Sequence, residues 1–312
     1  MAVSACKSTL FVTGKGGTGK SSISAAIALV QAESGLRTLV AEVHNRTDVL
    51  AILGGDPGDP AERAQHEEIQ LAEHLFHVTI DSDAVLGEYL SDQLPGPVAA
   101  MLGRSRSFGT LAAATPGLRE LLTVGKIWEM AQEERRLPGA EPYDLVVVDA
   151  PATGHGVALL SAPRTFAEAA RSGPVARQAG IIDATLSDPE QTAVIAVATA
   201  EELPVSETIE LSAGLPESLP GQSLERVVVN RMLPRRFSKA DADKLRAATG
   251  PRSDPAIEAA LAIAEQSVEQ QTQLARLRRE LGGIEITTAP ALPADDINTS
   301  GLRKLGKAAY AR

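Results

Sequence analysis

Eight residues near the start of the chain, Gly14-Lys15-Gly16-Gly17-Thr18-Gly19-Lys20-Ser21, have the residue types and spacing of a phosphate cradle, GxxxxGK[ST]. Glycines let backbone N–H groups turn inward around an anion without Cβ clashes. The start of a following helix adds partial positive charge. Lys20 would neutralise β- and γ-phosphates and Ser21 would ligate Mg²⁺, while the stretch from Gly16 through Gly17, Thr18 and Gly19 to Ser22 supplies the wall of the cradle. With ordinary residue usage such a match turns up in about one 300-residue chain in a hundred, so its context decides. Here it directly follows an apolar run, Thr9–Thr13, and opens a helical pattern over Gly19–Ala32, which is the arrangement that phosphate binding requires. A second acidic position lies far along the chain. The run Leu145–Asp149 ends four apolar residues with a carboxylate. At the carboxyl edge of a sheet, Asp149 can complete the shell of a Mg²⁺ ion with Ser21.

These groups meet only if strands place them on one edge. Thr9–Thr13, Thr38–Glu42, Leu145–Asp149, Thr192–Thr199, Arg226–Asn230 and Gly283–Thr287 are strand candidates, with Phe76–Ile80 as one nearer the sheet edge. Helical patterns separate most of them. Continuous β-branched runs interleaved with helices predict an α/β fold: a doubly wound, mostly parallel sheet covered on both faces. Residues 1–312 read as a single domain of this kind, with helical insertions at about 82–140 and 161–190. The first has Gly/Pro/Ser-rich breaks near Gln93–Pro97 and Gly103–Thr110, and both could form a lid or partner surface or simply cap the sheet ends. The charge run Glu133–Arg136 reads as a solvated helix end.

Composition narrows the function. There are 312 residues, with 30 Lys and Arg against 40 Asp and Glu, for a net charge of −10. That argues against a protein that coats nucleic acid, which needs a basic face. The one cysteine, Cys6, allows neither an internal disulfide nor a CxxC zinc pair from one chain. His74 and His77 lack a third nearby ligand. The start of the chain lacks the long apolar run of a secretory signal, and apolar runs fall far short of a membrane span. The expected location is the cytoplasm.

Several of these residues carry a resemblance. The loop's early lysine, Lys15, resembles the deviant phosphate-loop signature of the MinD/ParA/arsenite-pump class of ATPases. The run Asp149-Ala150-Pro151-Ala152-Thr153-Gly154-His155 closely resembles the second switch motif of the arsenite-transport (ArsA) and guided-entry (GET) tail-anchored-protein ATPases, with the Ala/Pro order shifted. Ala200–Thr208 resembles the family segment leading into a long helix. Asn230 resembles a strand-end asparagine that reads the adenine edge, for which an amide has the right donor and acceptor. The stretch containing Pro290 resembles a proline loop near the base. The resemblance implies an ATP- and Mg²⁺-dependent ATPase that closes and opens as a dimer, either of one chain or with an ArsA-like paralogue, to handle a client or partner protein. It implies that Lys15 acts across the dimer interface, that Ser21 and Asp149 organise Mg²⁺, and that Gly154 and His155 carry the switch.

One departure stands out. Where the family has Asp-Pro-Ala-His after the second strand, this chain reads Glu42-Val43-His44-Asn45-Arg46-Thr47-Asp48, which aligns His44 with the water-orienting Asp. A neutral His would orient water weakly, and Glu42 and Asp48 are nearby alternatives that sit further along the chain than the role requires, so slow or partner-dependent hydrolysis is expected. A hydrolysis-deficient subunit of a heterodimer is a second reading. With one Cys and four Met, thiol binding of arsenite and a Met-rich client groove are disfavoured. A MinD-like membrane-associated ATPase is a third reading, since Gly301–Arg312 is weakly amphipathic and basic.

Overall fold

The computed structural model describes residues 7–43, 46–56, 66–93, 101, 115–136, 139–170, 172–250, 254–293 and 296–310. Among them eight strands form one sheet: β1 (Thr9–Gly14), β2 (Thr38–Val43), β3 (Ile69–Ala72), β4 (Leu75–Ile80), β5 (Leu145–Ala152), β6 (Thr192–Thr199), β7 (Leu224–Met232) and β8 (Glu285–Pro290). Their order is β3-β4-β2-β5-β1-β6-β7-β8. Every pairing is parallel except β3 with β4. This is the α/β, mostly parallel architecture that the alternating sequence pattern predicts. The strand β3 is the addition. It is four residues long and alternates between half-buried and exposed, and a tight turn at Glu73-His74 folds it back on β4, so it offers no continuous apolar run to read.

Both faces of the central strands are covered, which is why their sequences are apolar throughout rather than alternating. On one face Leu10 and Val12 pack with Ile23 and Ile27 of α1 (Lys20–Glu33), Val49 of α2 (Asp48–Ile52), and Leu302 and Leu305 of the last helix (Thr299–Tyr310). On the other, Phe11, Val146 and Val148 pack with helices from the rest of the chain. These are α3 (Ser82–Gln93), α4 (Leu118–Met130), α5 (Thr153–Ala170), α6 (Pro174–Ser187), α7 (Glu202–Ser218) and α9 (Pro255–Glu280), with α8 (Lys239–Ala248) packed beside α9. Fully burying a side chain such as Ile27 stabilises by roughly 1.5–3 kcal/mol, so the central helix α1 is anchored chiefly by its contacts rather than by propensity.

Three sequence expectations are revised by the packing. The stretch 161–190 does not start as an insertion: α5 begins at Thr153, directly after β5, and runs through it. The charge run 133–136 is not wholly solvated. Arg135 is almost fully buried, pairs with Glu68 and Glu129, and lies over the Tyr143 ring at 5.1 Å. Finally the last helix, α10, turns its apolar face, Leu302, Leu305 and Ala309, inward against α1, which covers the surface that membrane binding would need. The breaks at Gln93–Pro97 and Gly103–Thr110 lie, apart from Gln93 itself, outside the described residues, as does Cys6. Among the described residues no helix is long and apolar enough to cross a membrane.

Candidate active site

The sheet register brings the chemistry to one edge. Asp149 of β5 lies beside Val12 of β1 on one side and Glu42 of β2 on the other. Asn230 of β7 lies beside Thr199 of β6. The phosphate loop, residues 14–19, leaves β1 at this same end and enters α1. Two of its glycines are dictated by geometry. Gly14 has φ +142°, and a Cβ there would stand 2.1 Å from the Val197 carbonyl oxygen. Gly19 has φ +91°, and a Cβ there would stand 2.4 Å from Nδ2 of Asn230.

The loop is tied down from within. The Lys15 carbonyl accepts from Thr18 Oγ1 at 2.9 Å and from Lys20 Nζ at 3.2 Å. The Thr18 carbonyl accepts from Asn230 Nδ2 at 2.9 Å. α1 opens at Gly19 with no side-chain cap and no acid in its first turn. Its first N–H groups, Lys20, Ser21 and Ser22 among them, therefore face a potential anion rather than a cap. Lys20 is 8% exposed. Burial pushes its ammonium below the ordinary pKa, against the opposing pull of Asp149. Uncapped amides beside a buried ammonium are the donor set that a polyphosphate needs.

The metal ligands expected from sequence are in contact. Ser21 Oγ donates to Asp149 Oδ2 at 2.8 Å, and Ser24 Oγ, one turn further along α1, donates to Oδ1 at 3.1 Å. Asp149 is 1% exposed. Burial pushes its carboxyl pKa up; the Ser21 bond and Arg46 pull it back, and neighbouring Glu42 adds to the rise. A buried carboxylate with a hydroxyl beside it is a hard oxygen pair that fits Mg²⁺, which keeps several waters and takes the rest of its shell from phosphates. No cluster of three or more His, Cys, Asp or Glu that could hold a metal is found among the described residues, so protein ligation would rest on this pair.

Other expected residues sit in more constrained places. His44 lies outside the described residues. Glu42 is fully buried, and both its oxygens are engaged: Oε1 accepts from Val49 N at 2.9 Å, and Oε2 accepts from Leu50 N at 3.1 Å and meets His77 Nε2 at 2.8 Å. It thus caps α2 and fixes His77. Asn230 spends its amide on the Thr18 carbonyl and its oxygen on the Arg231 N–H, also at 2.9 Å. Pro290 ends β8 opposite Met232 and is exposed. Gly154 and His155 are exposed on the first turn of α5. That turn is held near the loop by Thr13 Oγ1, which donates to the Pro151 carbonyl at 3.0 Å.

Lys15 takes a partner of its own outside the loop. Its ammonium pairs with Glu207 of α7, whose other oxygen accepts from Thr153 Oγ1 at 3.2 Å. Glu207 thereby joins the phosphate loop to the start of α5. Sequence reasoning missed three participants. Ser24 was legible as the residue one turn after Ser21. Arg46 carries a local signal, the Arg-x-Asp spacing to Asp48, but nothing in the sequence aims it at Asp149. Glu207 lies 192 positions from Lys15, and no pattern pairs them.

A family model described as "Anion-transporting ATPase" matches residues 7–172. The ATPase BagA of Mycobacterium tuberculosis is 36% identical over 246 residues, covering 75% of this chain and 67% of that protein. The arsenical pump-driving ATPase of Escherichia coli is 26% identical over 319 residues, covering 95% of this chain but 48% of that protein. The arsenical pump-driving ATPase of Acidiphilium multivorum is 28% identical over 281 residues, covering 80% of this chain and 43% of that protein.

Proposed function

The chain belongs to the anion-transporting ATPase family and is an ATP-binding ATPase, and from that premise we propose that it works as a Mg²⁺-dependent dimeric switch that closes on ATP and reopens after hydrolysis. In this reading Lys20 and the amides from Gly16 to Ser22 hold the phosphates, Ser21 and Asp149 hold Mg²⁺, and the Asn230 and Pro290 segments face the base. Mg²⁺ supplies charge neutralisation of the phosphates when bound. The chain's own residues would position the triphosphate.

The observation that carries the dimer is the placement of Lys15. Its ammonium is not needed inside the cradle and is held about one third exposed beside Glu207, so it is available to reach a nucleotide on a second chain. Thr153, bound to the same carboxylate, lies in the segment that the switch would move. Opening and closing would pass from there through α5 to α4 and α6, which pack on it. With α3, those two helices line an apolar cavity of about 280 Å³, where a client or partner protein would be served. The net charge and the lone cysteine favour a cytoplasmic protein partner over nucleic acid.

The engagement of both Glu42 oxygens favours the second reading in one respect: a free water-orienting acid would then have to come from a paralogous chain. Sedimentation of the purified chain with ADP, and with Mg²⁺ and a non-hydrolysable ATP analogue, tests the switch. The expected result is a dimer with the analogue only. A monomer in both, with nucleotide bound, would sink the homodimeric reading, and adding the paralogue would then test the heterodimer.

A further inference from the structure

Arg46 occupies a position that its sequence context does not explain. Its guanidinium donates through Nη2 to Ser21 Oγ at 3.1 Å, and its Nη1 stands 3.8 Å from Asp149 Oδ2. These are the two oxygen groups assigned to the metal. The guanidinium is not free to wander, because Nε donates to Asp48 Oδ2 at 2.9 Å, and the Arg46 carbonyl accepts from Thr79 Oγ1 at 3.2 Å. Asp48 in turn opens α2, whose next two N–H groups are capped by buried Glu42. A positive charge is thus presented to a buried carboxylate from a braced segment, at the point where a divalent cation would compete for the same atoms.

A guanidinium and a divalent cation compete for the Ser21–Asp149 pair, since both draw on the Ser21 oxygen and on the charge of Asp149 and like charges repel at this separation. We propose that Arg46 is a displaceable stand-in cation: without metal it holds Ser21 and Asp149, and when the metal takes them its guanidinium, still tethered by Asp48, is given over to the oxygens of the transferring phosphate. Hydrolysis itself is ATP plus water giving ADP and phosphate. The water oxygen bonds to the γ-phosphorus, the bond to the bridging oxygen breaks with its electron pair going to ADP, and the water's proton leaves to phosphate or solvent. A guanidinium beside the γ-phosphate stabilises the negative charge in that transition state without taking a proton. Arg46 would in this way supply charge from within the chain in a segment that lacks the usual acid. The inference rests on the metal-dependent reading of the site and adds a residue to it.

The test separates the two halves by choice of nucleotide. ADP lacks the γ-phosphate, so Mn²⁺ binding with ADP, followed by electron paramagnetic resonance, reports only the competition for Ser21 and Asp149. In Arg46→Ala the expected result is Mn²⁺·ADP affinity raised about tenfold, with kcat for Mg²⁺·ATP lowered at least about tenfold. Arg46→Lys, which keeps a charge but cannot fork between Asp48 and Ser21, should also bind Mn²⁺·ADP more tightly, and it guards against misfolding of the alanine variant. Unchanged or weakened Mn²⁺·ADP binding in both variants overturns the proposal, as does an unchanged kcat. Failure of the unsubstituted chain to bind Mn²⁺ with ADP would instead overturn the metal-dependent reading, and this inference with it.

Discussion

Asn230, at the carboxyl end of β7, donates its side-chain amide to the backbone carbonyl of Thr18 at 2.9 Å, across 212 positions of sequence. The same nitrogen lies 2.4 Å from where a Cβ on Gly19 would stand. The end of one strand is therefore the support on which the phosphate loop rests, and the loop's glycine is shaped by that support. Gly19→Ala forces both a left-handed backbone on a residue that resists it, at about 1–2 kcal/mol, and a shift of Asn230. We expect nucleotide affinity to fall at least about tenfold. Asn230→Ala, which leaves a buried carbonyl unpaired, should lower stability by about 1–3 kcal/mol. Urea unfolding and titration with a fluorescent nucleotide read the two effects; unchanged affinity in Gly19→Ala would show that the loop does not depend on this contact.

The two lysines of the loop should separate. Lys20 is buried in the loop and Lys15 is paired with Glu207 of α7. Lys20→Ala should remove most nucleotide affinity. Lys15→Ala should keep binding and slow hydrolysis. Equal loss of binding in both, measured by equilibrium dialysis, would reject a role for Lys15 beyond its own loop.

Glu42 and His77 form a pair with both side chains at 0% exposure. Removing one partner of such a buried pair costs on the order of 3 kcal/mol, and here it also uncaps α2. Glu42→Ala should lower stability by about that much. If Glu42 acts only by positioning, the folded variant should keep its nucleotide affinity within a few-fold. A stability loss under about 1 kcal/mol by chemical denaturation would contradict the assignment.

Stability should also report a contact between α3 and α4. Glu88 meets Lys126 at 3.0 Å and His66 at 2.7 Å, and their hydrogen bonds and charges hold its pKa at about 2 despite the opposing effect of burial. A carboxylate depressed in the folded state stabilises above its ordinary pKa of 4.5, and that contribution is lost as pH falls from about 4.5 towards about 2. Glu88→Gln should therefore melt lower than the unsubstituted chain at pH 6, by a modest amount because the pair is partly exposed. The gap should narrow steadily as pH drops below about 4.5. A gap independent of pH would show that the substitution acts through packing alone.

The sequence by itself determined the α/β class, the parallel core strands, the phosphate loop, and the pairing of Ser21 with a strand-end acid at Asp149. The reason is that these features are local. A continuous β-branched run, a glycine-rich turn before a helix, and an acid at the end of an apolar strand each show in a few consecutive residues, and the rules of parallel sheets bring such ends to one edge. What only the tertiary structure decided is how the polar groups there are shared out. Glu42 is shared between the first amides of α2 and His77. Asn230 braces the Thr18 carbonyl. Lys15 meets Glu207, and Arg46 reaches Ser21. Each of these partnerships joins a side chain to a group on a different element within hydrogen-bonding reach, and no spacing along one strand or helix encodes which of several nearby groups wins the contact.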